Sequence, residues 1–115
     1  MSPRRILLVI HPRSEVAEHA TRVTCGLLQE AGVQPVFVEE GLDHLRDSGF
    51  VPEGAGVLGI DCTLEDLELV MVLGGDGTIL NAAEIVRPRS VPILGVNLGH
   101  VGFLAEAERD DLLLT

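Results

Sequence analysis

The chain contains no lysine. A Walker-type phosphate loop needs one to reach the β- and γ-phosphates, so that route to nucleotide binding is closed. Basic charge is scarce throughout: eight arginines stand against 18 acidic residues, for a net charge of −10. Nucleic acid and anionic membrane both require a basic face, so neither is an expected partner. No apolar run approaches the roughly 18–20 residues that span a bilayer. The short run Ile6 to Ile10 behind Arg4 and Arg5 lacks the length and the small-residue cleavage site of a signal peptide. It reads as the first strand of a cytoplasmic protein. Cysteine is limited to Cys25 and Cys62, whose spacing fits neither a zinc site nor a disulfide scaffold. Two idle or buried thiols are expected. There is no internal repeat and no low-complexity segment. What remains is 115 residues, 46% of them hydrophobic, enough for one domain with a core and too apolar for disorder.

The most informative segment is Gly74-Gly75-Asp76-Gly77-Thr78. It follows the apolar run Leu69 to Leu73 and precedes a segment with helical spacing, Ile79 to Val86. Glycines tolerate positive φ, so a turn built from them is expected to aim consecutive backbone N–H groups into one concavity. A helix N-terminus adds partial positive charge at the same place. The aspartate is the odd member, because a carboxylate repels phosphate. It must either hold a metal ion or face a hydroxyl, a combination that suggests phosphoryl transfer to an alcohol. The plainer alternatives are a tight turn with no ligand and an aspartate that only caps the helix.

The rest of the chain alternates between strands and helices. Arg5 to Ile10 is continuously apolar and β-branched, as a buried strand is. Ser14 is a plausible N-cap, with Glu15 and Glu18 in the first turns. Val16, Ala20, Val23 and Leu27 recur at helical spacing, joined by Ala17, Thr24, Leu28 and Ala31, and Gly32 ends the helix. Pro35 to Val38 reads as a strand, closing a β-α-β unit that implies parallel pairing. Residues 39–63 are less regular. One helical turn is expected at Leu42 to Asp47, a loop over Gly49 to Gly59, a short strand near Val57 to Ile60, and a turn capped by Thr63 and Asp66. Leu69 to Leu73 and Pro92 to Val96 are further strands. Asn97 to Leu104 forms a second glycine-bearing loop, and Glu108 to Leu114 begins a helix.

The expected architecture is an α/β fold: an open, mostly parallel, doubly wound sheet with helices on both faces. Ligands of such sheets sit at the carboxyl ends of the strands. Three loops leave such ends: His11 to Ser14, Gly74 to Thr78 and Asn97 to Leu104. Arg13 in the first can bind phosphate, although an arginine beside a helix start is commonly a surface residue. Asn97 can close an Asx turn. Phe103, taken alone, plugs a core; its place after Gly102 in a strand-end loop also allows contact with a base or nicotinamide. His19 and His44 read as solvated helix positions.

Leu73 through Thr78 (LGGDGT) and Pro92 through Leu104 (PILGVNLGHVGFL), continued by Ala105-Glu106, resemble the N-terminal domain of bacterial NAD kinases, also called inorganic polyphosphate/ATP-NAD kinases. The first motif is shared with diacylglycerol, sphingoid and phosphofructo kinases; the second is specific to NAD kinases. The resemblance covers nearly the whole chain and is weakest over residues 40–65. It implies a Rossmann-like, phosphofructokinase-like N-terminal domain. It also implies that Asp76 orients or deprotonates the 2′-hydroxyl of the adenosine ribose of NAD. That hydroxyl attacks the terminal phosphate of ATP or polyphosphate, giving NADP. Gly75, Gly77 and Thr78 are then expected to line the nucleotide and phosphate path. Asn97, Gly102, Phe103 and Leu104 match the loop that contacts NAD, and Arg13 is a phosphate candidate. Mg²⁺ or another divalent cation is the implied cofactor, with no metal ligand assigned in the chain. Family members are longer, with a second, β-rich domain bearing an Asn-Glu/Asp motif. That domain is absent from residues 1–115, so the chain by itself is expected to be inactive, and a longer form to be a homo-oligomer. Two rivals remain at this point: a lipid kinase of the diacylglycerol or sphingoid type, and a non-catalytic nucleotide-binding fragment.

Overall fold

The run Arg4–Ile10 forms β1, and its residues 6–9 are all buried. A strand buried on both faces must lie inside a sheet and be apolar without alternation, and β1 is the central strand of five. The computed structural model describes residues 4–11 and 14–97. The remaining strands are β2 (Val33–Phe37), β3 (Gly56–Val57), β4 (Leu69–Gly74) and β5 (Ile93–Asn97), in the spatial order β3-β2-β1-β4-β5. Every pairing is parallel: Ile6 lies opposite Pro35 on one side and Leu69 on the other, and Leu73 lies opposite Val96. The expected open α/β sheet is the observed one.

Among the described residues three α-helices cover the sheet: α1 (Glu15–Glu30), α2 (Glu39–Asp47) and α3 (Asp76–Ile85). The pleat sends alternate β1 side chains to opposite faces. Ile6 and Leu8 join Cys25 of α1 and Leu42 and Leu45 of α2 in one core. Leu7 and Val9 join Val70, Val72, Ala82 and Val86 in the other, under α3. Helices therefore lie on both faces. The two cysteines divide the same way, Cys25 in the first core and Cys62 in the second, both as free buried thiols. Burial pushes the Cys25 thiol up to about 11.

Helix α1 begins where expected. The Ala17 N–H donates to Ser14 Oγ at 3.1 Å, and Gly32 takes φ 75° just past the end, a left-handed turn that glycine makes without a Cβ penalty. The buried stripe keeps Ala17 from the expected set but otherwise differs from it. Ala17, Thr21 and Cys25 face the sheet, while Val16, Val23 and Leu27 are 49%, 51% and 60% exposed. Both stripes have helical spacing, and hydrophobicity alone favours the larger residues. Packing favours the smaller ones, which let the helix axis come close to the sheet. Thr21 is tolerated there because its hydroxyl donates to the Ala17 carbonyl at 2.7 Å.

The segment over residues 39–63 is more ordered than the sequence suggests. Helix α2 spans nine residues rather than one turn, with Leu42 and Leu45 buried at helical spacing. Gln29 and Gln34 reach across to the carbonyls of Glu53 and Gly54, pinning the following loop, and Gln34 Oε1 also accepts from Arg5 Nε at 2.8 Å. The expected cap forms at Thr63, whose N–H donates to Asp66 Oδ2 at 2.8 Å. Strand β2 starts at Val33, two residues before Pro35. The helix expected from Glu108 lies outside the described residues.

Candidate active site

From β1 the chain winds outward to β2 and β3, then returns to the other side of β1 for β4 and β5. The reversal places a crevice between the carboxyl ends of β1 and β4, the position where open α/β sheets bind ligands. The two strand ends are tied together: the His11 N–H donates to the Leu73 carbonyl at 3.0 Å. The chain then enters α3 through Gly74 and Gly75. A cleft of about 340 Å³ opens there, lined by Ile10, His11, Gly75, Gly77, Thr78 and Asn81.

The glycines of this turn act differently from the expectation. Positive φ among the described glycines occurs at Gly32, Gly49, Gly54 and Gly59, and at none of the glycines in the turn. Gly74 is required by close approach. A Cβ there would stand 2.5 Å from Thr78 Oγ1 and 3.1 Å from the His11 Cβ. Gly75 is the N-cap, in extended conformation, and Gly77 is the second residue of α3. A Cβ on either would meet nothing within 4 Å. The fold thus leaves Gly75 and Gly77 free to carry side chains, and both face the cleft with bare backbone.

Asp76 is the first residue of α3 and is exposed. It is not the cap, since Gly75 takes that place without a side-chain bond. Among the described residues its carboxylate has no hydrogen bond or ion pair. It sits between the two bare glycines, in the first turn, where the helix dipole favours negative charge. Thr78 is 7% exposed, and its N–H bonds back to the Gly75 carbonyl at 3.1 Å, closing the first turn.

Of the other sequence candidates, Asn97 is the last residue of β5 rather than a loop residue, and its backbone pairs opposite Gly74. Its main chain therefore reaches the same end of the sheet as the turn. Arg13, Gly102, Phe103 and Leu104 lie outside the described residues. His11 and Asn81 line the cleft although neither belongs to a motif. Asn81 is recoverable from spacing, because it stands three residues after Thr78 and four after Gly77 and so shares their helix face. Among the described residues, no group of three or more His, Cys, Asp or Glu side chains is arranged to hold a metal ion. No helix among them is long and apolar enough to cross a membrane.

Comparison with known proteins agrees with this geometry. A family model described as ATP-NAD kinase N-terminal domain matches residues 6–113. The NAD kinase of Leifsonia xyli subsp. xyli is 54% identical over 112 residues, which cover 95% of this chain and 36% of that protein. The NAD kinase of Thermobifida fusca is 46% identical over 111 residues, covering 95% of this chain and 34% of that protein. The crystal structure of yeast NADH kinase complexed with NADH superposes with a TM-score of 0.66 at 21% identity, over 99% of this chain and 36% of that one, and so shares the fold. The chain thus spans about a third of the length of these relatives. A family defined by lipid kinases is set aside by the match, and the chain belongs to the ATP-NAD kinase N-terminal domain family.

Proposed function

We propose that a protein carrying this chain transfers the terminal phosphoryl group of ATP or polyphosphate to the 2′-hydroxyl of the adenosine ribose of NAD, giving NADP. The observation that carries this reading is the pair Gly75 and Gly77, which the fold does not require to be glycine and which flank an exposed carboxylate without a partner among the described residues. Bare backbone at a helix N-terminus suits a phosphate chain. The carboxylate suits the attacking alcohol. Asp76 orients the hydroxyl and takes its proton as the ribose oxygen forms its bond to phosphorus. The bond from phosphorus to the bridging oxygen breaks, releasing ADP or a shortened polyphosphate. Positioning and charge stabilisation carry most of the catalysis in such transfers.

A divalent cation such as Mg²⁺, when bound, neutralises the charge of the phosphates. Mg²⁺ commonly uses one or two carboxylates together with substrate oxygens. Here the substrate oxygens would serve, because Asp76 is kept for the hydroxyl proton and no metal ligand is assigned among the described residues. Gly75, Gly77 and Thr78 border the phosphate path, Asn97, Gly102, Phe103 and Leu104 contact NAD, and Arg13 supplies a cation. The remaining wall of the site belongs to a second, β-rich domain. The whole enzyme is read as a cytoplasmic homo-oligomer.

The test is a chimera in which this chain replaces the matching third of the Leifsonia xyli NAD kinase. It should make NADP from NAD and ATP. Asp76→Asn in that chimera should lower turnover by about 10²–10⁴-fold, the usual cost of losing a general base. A folded chimera with no activity, or an Asn variant near the parent rate, would overturn the reading.

A further inference from the structure

Helix α3 carries two residues that its own stability argues against. Gly77 is one, with open space where a Cβ would stand. Asn81, four positions on, is the other. Asparagine is a poor helix former, because its side chain competes for backbone hydrogen bonds in non-helical conformations. Asn81 is exposed in mid-helix, and among the described residues its carboxamide makes no hydrogen bond. Nothing in the described fold repays its presence. Residues four apart share a helix face, and both of these line the cleft of about 340 Å³. The two positions that α3 fills against its own preference thus stand one above the other in the wall of one cleft.

The surface that a helical residue covers lies over the turn before it. For Asn81 that turn holds Gly77 and Thr78, where bare backbone faces the cleft. None of the six residues lining the cleft is a lysine or an arginine. The Asn81 carboxamide carries two N–H donors, so it offers an uncharged partner to an anion held at the start of the helix.

The topology indicates which substrate uses it. The cleft lies between the ends of β1 and β4, whereas Asn97 lies on β5, on the far side of β4. Asp76 precedes Asn81 by five residues, which is about 140° around the helix, and it does not line the cleft. An acceptor hydroxyl at Asp76 therefore approaches from one side of α3, and the cleft opens on another. The attacking and leaving oxygens of a phosphoryl transfer lie roughly in line, on opposite sides of phosphorus. The cleft suits the leaving side, which is the donor.

We infer that the Asn81 carboxamide donates a hydrogen bond to a phosphoanhydride oxygen of the phosphoryl donor, and so selects the donor over NAD in the cleft between β1 and α3. This rests on the phosphoryl-transfer reading above. ATP and polyphosphate share the chemistry that Asn81 recognises.

The experiment follows the backbone amide resonances of Gly75 and Gly77 in the 115-residue chain during titration with ATP, tripolyphosphate or NAD at neutral pH. It compares the parent with Asn81→Ala and Asn81→Asp. Loss of one hydrogen bond to a charged oxygen should weaken ATP and tripolyphosphate by about 10-fold in Asn81→Ala. NAD binding should be unchanged in that variant. Asn81→Asp keeps the size and an acceptor oxygen but replaces the N–H donors with negative charge, so it should weaken both donors by at least about 100-fold. Asn81→Ala should also melt about 1–5 °C above the parent, since alanine is the better helix former. Melting below the parent would show that the fold needs Asn81 and would overturn the inference. Donor binding retained in Asn81→Asp and lost in Asn81→Ala would overturn it, because the side-chain oxygen would then be accepting from a hydroxyl. A loss confined to ATP would point to the nucleoside, and a loss confined to NAD to the acceptor; either would overturn it. Amides that move alike in parent and both variants would overturn it and leave the phosphate-binding turn standing. Amides unmoved by any of the three ligands would remove both this inference and the reading beneath it.

Discussion

Replacing Gly77 by alanine adds one methyl group at the second position of α3, where a Cβ meets nothing within 4 Å. The backbone there has no positive φ to strain. Glycine within a helix costs roughly 0.5–1 kcal/mol relative to alanine. Gly77→Ala should therefore stabilise the chain by about that amount. For a domain of this size that corresponds to a rise of about 2–8 °C in Tm. The same change at Gly74 should act in the opposite direction. Its Cβ would lie 2.5 Å from Thr78 Oγ1 and 2.9 Å from Thr78 Cβ, and Thr78 is buried and β-branched, with little room to yield. Overpacking of this kind costs about 1–3 kcal/mol. Thermal denaturation followed by circular dichroism reads both signs. In the chimera, Gly77→Ala should lose NAD kinase activity although it is the more stable protein, because its methyl occupies the space left for a ligand. A Gly77→Ala variant that melts below the parent would refute the claim that the fold places no demand for glycine there. One that is stabilised and fully active would refute the claim that a ligand makes that demand.

Phe103→Ala in the chimera should raise the KM for NAD more than it lowers Tm; a loss of about 3–5 kcal/mol of stability with unchanged KM would make Phe103 a core residue instead. The Asp66 carboxyl is held below the usual carboxylate range, chiefly by the Thr63 N–H. A depressed carboxylate stabilises the fold above its unfolded pKa and loses that contribution as pH falls through the folded value. The Tm advantage of the parent over Asp66→Ala should accordingly be full at pH ~6 and fade below about pH 4, and an advantage that stays constant into acid would contradict this. The 115-residue chain alone should show no NAD kinase activity and should self-associate through apolar surface such as the exposed Val16, Val23 and Leu27 of α1. NADP formation by the purified chain would overturn the first half, and a stable monomer in sedimentation at high concentration the second.

The strands were legible because a short, continuous apolar run such as Ile6 to Val9 fits a buried strand and little else, and their ends marked where the crevice lies. The N-terminus of α1 was legible because Ser14 and the two glutamates state a chemical preference. The buried face of α1 was not. Hydrophobic periodicity selects Val16, Val23 and Leu27, whereas the sheet accepts Ala17, Thr21 and Cys25 on grounds of size. Helix α2 is hard to see in sequence because its first turn, Glu39 to Gly41, has no capping side chain and contains a glycine. At the site, the importance of the glycines was legible and the physical reason was not. The expected left-handed turn is replaced by one steric contact at Gly74 and two open positions at Gly75 and Gly77, a difference that depends on where Thr78 and His11 lie in space.

The division of the two thiols between the faces of the sheet gives the molecule a pair of built-in reporters. Each is shielded by a different layer, Cys25 on the sheet-facing side of α1 in the core shared with α2 and Cys62 in the core that α3 covers. Alkylation of either requires its own layer to lift, because a buried thiol is reached only in an opened state. Rates measured separately at the two positions would therefore compare the breathing of the helix that follows the glycine turn with that of the opposite layer. If a phosphate ligand slows labelling at Cys62 and leaves Cys25 unchanged, the ligand steadies one half of the protein while the other continues to fluctuate.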